Sequence, residues 1–523
     1  MKPSDLTLPL HFVDWREGQF EAMVWASAST SRFVVANMPT GSGKSLVYVA
    51  LAQLIEPDRT LILTSTKGLQ DQLMRYFRSI GMVDVRGQGN YVCELERADG
   101  KDWVMVDQGI CHLGVNCLLK HHGCTYYDAV RAASKARVVV TNYSFWLNSG
   151  QYAEGIGNFG LVVMDEAHNA PEELAGFLAV QMDEGDLGII GRGHPPVKFW
   201  QEWATSATLP METRLAQLVS RVPKNGRPPF SLFGDIRRFR SLVGRLKSLS
   251  SVDEGWVMER EERGTYRWDP VNVASRAETY LFRGAPKIFL TSATVTPKTT
   301  DLLGIEPGTM SYMETPSHFP PERRPVIWVP TVRMRWDGGK GMLRSMVNRV
   351  DQILARRADR KGIIHTVSYS RAKYIMENSR FKNLMVTHTT STTRQVVEEF
   401  KASKQPLVLV SPSLGTGWDF PYEDCEYQII VKVPFPDMRA EVMKRRSELD
   451  DDLSQYMAAV ELIQMVGRAM RAADDVCETL VIDDSIQWFV RRNRRFFPRW
   501  FLSAFRKSET VPAPMPKLWH LTA

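Results

Sequence analysis

The sequence predicts an α/β protein of two tandem domains, each built on a parallel sheet. Three observations predict it. Short apolar runs recur along the chain, and each ends in a polar loop, as the strands of a parallel sheet do. A proline-rich stretch at Pro316, Pro320, Pro321 and Pro325 separates two series of such runs. The 523 residues exceed what one hydrophobic core organises, so two domains with insertions are expected. Hydrophobic content of 44% and charged content of 24% are globular values and argue against a long disordered tail. No apolar run of about 18 residues occurs, and Met1-Lys2-Pro3-Ser4-Asp5 is not a secretory signal. The expectation is a soluble cytoplasmic protein without a membrane partner. A net charge of +7 permits a polyanionic partner without requiring one.

In chain order, Phe33-Val34-Val35 comes first, and Pro39-Thr40-Gly41-Ser42-Gly43-Lys44-Ser45 leads from it into a helix-like stretch, Leu46 to Ile55. Strand, loop and helix in that order are the setting of a phosphate-binding loop. Thr40, Gly41, Ser42 and Gly43 let backbone N–H groups converge on phosphate oxygens. Lys44 can reach the β- and γ-phosphates of ATP, and the Ser45 hydroxyl can ligate Mg²⁺. The eight-residue pattern departs at its first glycine, where Met38 stands. Thr60 to Leu63 runs into Thr64-Ser65-Thr66-Lys67, and Val138 to Val140 runs into Thr141-Asn142-Tyr143. Leu161 to Met164 reads as a buried strand ending at Asp165-Glu166-Ala167-His168, at the carboxyl edge where open α/β sheets bind ligands. There Asp165 would hold magnesium through water, and Glu166 would orient or deprotonate the attacking water. Residues 172–280 lack this rhythm and read as a largely helical insertion; Lys287 to Leu290 then leads into Thr291-Ser292-Ala293-Thr294.

The second series comprises Gly362-Ile363-Ile364, Leu407 to Val410, Gln428 to Val431 and Leu480 to Ile482. Two segments in it carry chemistry: Ser411 to Asp419, with Thr416 and Gly417, and Gln464 to Arg471. On a helix Gln464, Arg468 and Arg471 share one face, so two guanidiniums can meet a triphosphate. An arginine from across a cleft stabilises charge on a transferred phosphoryl group, and Arg468 is the expected finger. Taken alone, a surface helix with basic residues is the plainer account. Arg491 to Trp500 interleaves basic and aromatic residues, as strand-binding surfaces do and as a terminal helix packed on its domain also does.

Four of the six cysteines, Cys93, Cys111, Cys117 and Cys124, fall in one 32-residue window at intervals of seventeen, five and six residues. In a reducing compartment such a cluster points to metal rather than disulfides. The spacing lacks the paired knuckles of structural zinc sites, and four thiolates suit a [4Fe–4S] cluster. Zinc and unligated thiols remain alternatives, with His112, His121 and His122 as further ligand candidates. Cys425 and Cys477 read as ordinary buried thiols.

Together these segments resemble the motifs of superfamily 2 helicases in order. Gln19 in Arg16-Glu17-Gly18-Gln19 is similar to the adenine-reading glutamine, Lys44 and Ser45 to motif I, and Thr64 to Lys67 to motif Ia. Asp165 to His168 resembles motif II, Ser292-Ala293-Thr294 motif III and Ser368-Tyr369 motif IV. Gly415 to Asp419 resembles motif V, and Gln464 to Arg471 motif VI. The cysteines between motifs Ia and II are similar to the iron–sulfur branch typified by XPD and DinG, as are Gly87 to Cys93 and Cys124 to Tyr127.

The resemblance implies two tandem RecA-like P-loop motor domains, with an iron–sulfur cluster insertion and a helical arch insertion in motor domain 1. Motor domain 1 would occupy 1–85, 136–171 and 281–313, the iron–sulfur domain 86–135, the arch 172–280, the linker 314–326 and motor domain 2 327–523. The implied activity is ATP-dependent DNA unwinding, moving 5′ to 3′ along single-stranded DNA, on forked or tailed duplexes, by a DEAH-box motor of repair or replication. A translocase that strips RNA or bound proteins without unwinding is the alternative. A monomeric motor is expected. The nucleotide would meet Gln19, Thr40 to Ser45, Asp165, Gly417 and Asp419, with Lys44, Asp165, Glu166, Gln464, Arg468 and Arg471 catalytic. DNA phosphates would meet Thr64, Ser65, Thr66, Lys67, Ser368 and Thr416, and bases would stack on Tyr91, Tyr143 or Tyr369.

Overall fold

The computed structural model describes the chain except residues 99, 102, 114–116, 151–154, 188–194, 224–228, 262–263, 336–337, 413, 415–417, 471–474 and 517–523. Its described residues form two seven-stranded sheets, both wholly parallel, and one three-stranded antiparallel sheet. The first sheet runs Met310–Glu314, Phe33–Asn37, Lys287–Ser292, Leu161–Asp165, Thr60–Thr64, Val138–Asn142 and Met82–Asp84. Its central strands are continuous apolar runs because both faces are covered, and alternate side chains feed two separate cores. Leu61, Leu63, Val162 and Met164 enter one core, whereas Ile62, Leu161 and Val163 enter the other. Pairing sets Asn37 opposite Ser292 and Thr291 opposite Asp165, so the chemistry-bearing loops leave one sheet edge side by side.

The second sheet runs Met385–Thr387, Val408–Ser411, Gly362–His365, Tyr427–Ile430, Glu478–Asp483, Val326–Val332 and Phe505–Lys507. Arg357 and Glu478, 0% and 1% exposed, form a forked ion pair at 2.8 and 2.9 Å within it. The basic-aromatic segment resolves into two sides: Phe496, Phe497 and Trp500 are buried, while Arg491, Arg494, Arg495 and Arg499 face outward. The proline-rich connection is ordered, and Phe319 in it is 1% exposed.

In the insertion after the DEAH segment a small sheet accompanies long helices. Two long helices, Val197–Ser220 and Phe230–Ser250, pack on an antiparallel sheet of Val180–Asp183, Thr265–Pro270 and Trp256–Arg260 through Trp200, Leu246, Leu249 and Trp268. These strands bury one face only; Val180 and Met182 point in and Gln181 and Asp183 out, an alternation too short to register in sequence. Helix Glu441–Leu449 of the second domain clasps this unit, where Arg446 meets Glu172 at 2.9 Å and the Pro270 carbonyl at 2.9 Å. The cysteine-rich insertion is a chain of short turns around a small core of Cys93, Val106 and Cys124.

Candidate nucleotide site

A cavity of about 490 Å³ opens at the shared sheet edge, lined among others by Gln19, Gly41, Gly43, Lys44, Ser45, Asp165, Glu166 and Asp419. Gly41 and Gly43 adopt φ of +77° and +74°, which closes the loop tightly enough to start helix Lys44–Ile55 at Lys44. Lys44 Nζ lies 3.0 Å from Glu166 Oε1. Asp165, 1% exposed, accepts from the Tyr48 hydroxyl at 3.0 Å and from the Glu166 N–H at 2.9 Å. Burial, and then the charge of Glu166, pushes the Asp165 carboxyl up to about 6. A buried carboxylate held so far from its preferred ionisation gains strongly from a cation. With the Ser45 hydroxyl on the same cavity it suits Mg²⁺.

Burial acts against the Glu166 charge, but Lys44, His168 and Ser292 outweigh it and hold the carboxyl at about 2. Glu166 takes the left-handed conformation, φ +49°, which turns its side chain toward the loop. Ser292 Oγ donates to Glu166 Oε2 at 3.0 Å and lies 2.7 Å from His168 Nδ1. Burial pulls His168 down to about 4, so the ring is neutral, and its Nδ1 faces the Ser292 hydroxyl. The chain continues: the Thr294 N–H donates to Ser292 Oγ at 3.1 Å, and Gln464 Nε2 donates to Thr294 Oγ1 at 3.3 Å. A single run of contacts thus links the DEAH carboxylate to the second domain.

The second domain also touches the loop itself. A side chain at Gly467 would stand 2.7 Å from Thr40 Oγ1, and one at Gly41 would stand 2.8 Å from the Phe319 ring. Arg468, 6% exposed, donates to the Leu414 carbonyl at 2.8 Å and is not among the residues lining the cavity. Arg471, Thr416 and Gly417 lie outside the described residues. Gln19 is 2% exposed and donates its amide to the carbonyls of Ser42 at 2.7 Å and Gly43 at 3.3 Å. Tyr48 and His168 were not singled out individually; Tyr48 stands one helical turn after Lys44, which is the signal that finds it.

The residues expected on DNA divide. Tyr143 is 1% exposed and donates to the Asp165 carbonyl at 3.0 Å, so its ring packs in the core and its hydroxyl steadies the DEAH strand. Thr64 is buried and bonds within the sheet. Thr66 and Ser368 cap helices Lys67–Phe77 and Tyr369–Asn378 through Leu69 and Arg371. Ser65 borders a second cavity of about 640 Å³ beside Asn148 and Asn169. Lys67 is exposed and Tyr369 is 50% exposed, whereas Tyr91 packs edge-on against Tyr126.

The four clustered cysteines are neighbours in the fold. Burial, and then Cys117, Cys93 and Cys124, pushes the Cys111 thiol up to about 11, so all four sulfurs lie within electrostatic reach. Among the described residues no three His, Cys, Asp or Glu side chains form a group that could hold a metal ion. His121 and His122 are exposed.

Comparison with known proteins completes the assignment. A family model described as helicase C-terminal domain matches residues 352–504, and one described as type III restriction enzyme, res subunit, matches 13–184. No curated protein matches the chain by sequence. A solved structure titled XPD_Helicase aligns with a TM-score of 0.65 at 15% identity, covering 95% of this chain and all of that one. The structure of S. tokodaii Xpd4 aligns at 0.59 and 14%, covering 94% of this chain and 100% of that one. The fold is that of the XPD helicases. The XPD-like fold accounts for both parallel sheets as RecA-like domains, with residues of both lining the cavity. No helix among the described residues is long and apolar enough to cross a membrane.

Proposed function

We propose that this helicase is an ATP-driven motor on single-stranded DNA that moves 5′ to 3′ and separates forked or tailed duplexes. The contact run from Glu166 through Ser292 and Thr294 to Gln464 carries the proposal, because it ties the group that faces water to the domain that must move. Lys44 would bind the γ-phosphate, Ser45 and Asp165 would hold Mg²⁺, and Glu166 would take the proton of the attacking water. The bound Mg²⁺ would neutralise charge on the phosphate oxygens. Arg468 would leave Leu414 and turn toward the phosphates as the cleft tightens around ATP. Exposed Lys67 and half-exposed Tyr369, whose hydroxyl meets Thr390 at 3.0 Å, are the side chains of motifs Ia and IV that would reach a strand.

Cys93, Cys111, Cys117 and Cys124 are donors whose chemistry would suit a [4Fe–4S] cluster: Cys93, Cys111 and Cys124 belong to or pack on one small core, and Cys117 lies within electrostatic reach of Cys111. The cluster would supply a covalent staple to a segment whose apolar core is too small to hold itself. Unwinding assays on 5′-tailed, 3′-tailed and RNA-containing forks test the reading. Strand separation confined to 5′-tailed DNA supports it. ATP-driven removal of a bound protein without strand separation would replace it with a translocase.

A further inference from the structure

We propose that Arg446 is the positioning residue through which the second domain moves the inserted unit between Val180 and Pro270, so that closure of the cleft on nucleotide is passed to the two long helices and to the turn that carries Cys111. The inference rests on the reading of the two domains as an ATP-driven pair. It concerns what else their movement reaches.

The inserted unit is tied to the first domain at two points. Leu174 and Ala175, before it, and Val273 and Ala277, after it, belong to the first-domain core. Its third support comes from the other domain. Helix Glu441–Leu449 puts Val442 and Met443 against the core of the second domain and also packs along strand Trp256–Arg260 of the insertion. The Glu441 N–H donates to Glu259 Oε2 at 3.3 Å. Arg446 donates through Nη1 to Glu172 and through Nη2 to the Pro270 carbonyl, both at 2.9 Å. When the second domain shifts against the first, such a support either breaks or turns the unit about its two connections.

Arg446 is the least satisfied part of this support. Its side chain is 10% exposed, and its Nε is buried without a partner among the described residues. A leucine there would pack without that penalty, because taking a guanidinium out of water is offset only by complete pairing. Cohesion between the domains is supplied next to it, where Lys298 meets Asp450 at 2.6 Å and Thr299 meets the Tyr456 hydroxyl at 2.7 Å. Those contacts join domain to domain. Arg446 instead joins the second domain to the helix that follows the DEAH loop and to the end of the inserted sheet's central strand.

That strand, Thr265–Pro270, lies between the other two. Its Trp268 is fully buried and meets Trp200 of the first long helix edge-on at 5.3 Å, and Leu246 and Leu249 of the second enter the same core. A close-packed core moves as a body, so a displacement at Pro270 is carried into both helices. The second of them, Phe230–Ser250, packs against the turn Ile110–Leu113. The path therefore runs from the second domain to the cysteine-rich insertion without crossing the first-domain sheet.

Amide hydrogen exchange of the full chain, with and without a non-hydrolysable ATP analogue, tests this in wild type, Arg446→Ala, Arg446→Glu, Glu172→Arg and the double swap of Glu172→Arg with Arg446→Glu. Hydrolysis with single-stranded DNA and unwinding of 5′-tailed DNA are measured beside it. In wild type the analogue should change exchange by about fivefold or more both in residues 39–45 and in helix Phe230–Ser250. Arg446→Ala should keep the response of the loop, keep hydrolysis within about twofold, lose the response of the helix and separate about tenfold less duplex per ATP. Each single charge reversal should do the same. The double swap should regain the helix response, which separates lost transmission from lost folding. A helix response that survives in Arg446→Ala overturns the proposal, as does a wild type in which the loop responds and the helix does not. Transmission to the helix without strand separation would remove unwinding from the proposed function and leave the role of Arg446 standing.

Discussion

Lys44 Nζ lies 3.0 Å from Glu166 Oε1, so the ammonium that would meet a γ-phosphate also holds the carboxylate that would meet water. Phosphate arriving at Lys44 competes with Glu166 for the same charge. Glu166 would then be released toward water, which would make nucleotide binding and arming of the base one event.

Glu166→Gln should therefore bind ATP at least as tightly as wild type while turnover falls on the order of 10²–10⁴-fold. Lys44→Ala should lose both. Equilibrium binding beside DNA-stimulated hydrolysis checks the pair, and near-normal turnover in Glu166→Gln would refute the DEAH assignment.

The cleft gives a second expectation. A methyl at Gly467 would press on Thr40 Oγ1 from 2.7 Å, so Gly467→Ala should hold the domains apart and depress kcat with little change in ATP affinity. Arg468→Ala should lower kcat by about 10³-fold or more if its guanidinium acts as the finger. Single-turnover hydrolysis separates the two, because only Gly467→Ala should also alter the radius of gyration in solution.

Asp165 yields a pH signature. Its carboxyl is raised from an ordinary 3.8 to about 6, so the folded state binds more protons than the unfolded one between those values, and stability falls as pH rises through that window. Glu166, lowered to about 2, works oppositely: its contribution is present above pH 4.5 and is lost as pH falls toward 2. Asp165→Asn should thus raise thermal stability at pH 7 by on the order of 2 kcal/mol, lose that advantage at pH 4, and abolish Mg²⁺-dependent hydrolysis. Mg²⁺ should raise the melting temperature of the wild type more at pH 7 than at pH 5.

For the cysteines, anaerobically prepared protein should be brown with absorbance near about 400 nm and contain about four irons. Serine at Cys93, Cys111, Cys117 or Cys124 should release iron and stop unwinding while basal hydrolysis persists, since the motor cores have their own sheets. Serine at Cys425 or Cys477, buried in the second domain, should leave the colour unchanged. One zinc in a colourless protein would overturn the cluster.

The sequence by itself determined the two parallel sheets and the loops at their carboxyl edges, because each depends on local pattern: apolar runs of strand length, glycines beside Lys44, and carboxylates after a buried strand. What each polar side chain does was decided by tertiary structure, because hydrogen-bond partners come from distant segments. Gln19 reads as a base contact in its motif, and only the fold shows that its amide also reaches the Ser42 and Gly43 carbonyls. Tyr143 reads as a stacking ring, yet it is buried against Asp165. Ser292 gains its role only where parallel pairing brings its strand beside Leu161–Asp165. The sheet beneath the two long helices was equally hidden, because strands of four to six residues with one buried face carry too little periodicity to be told from loops until the helices pack on them.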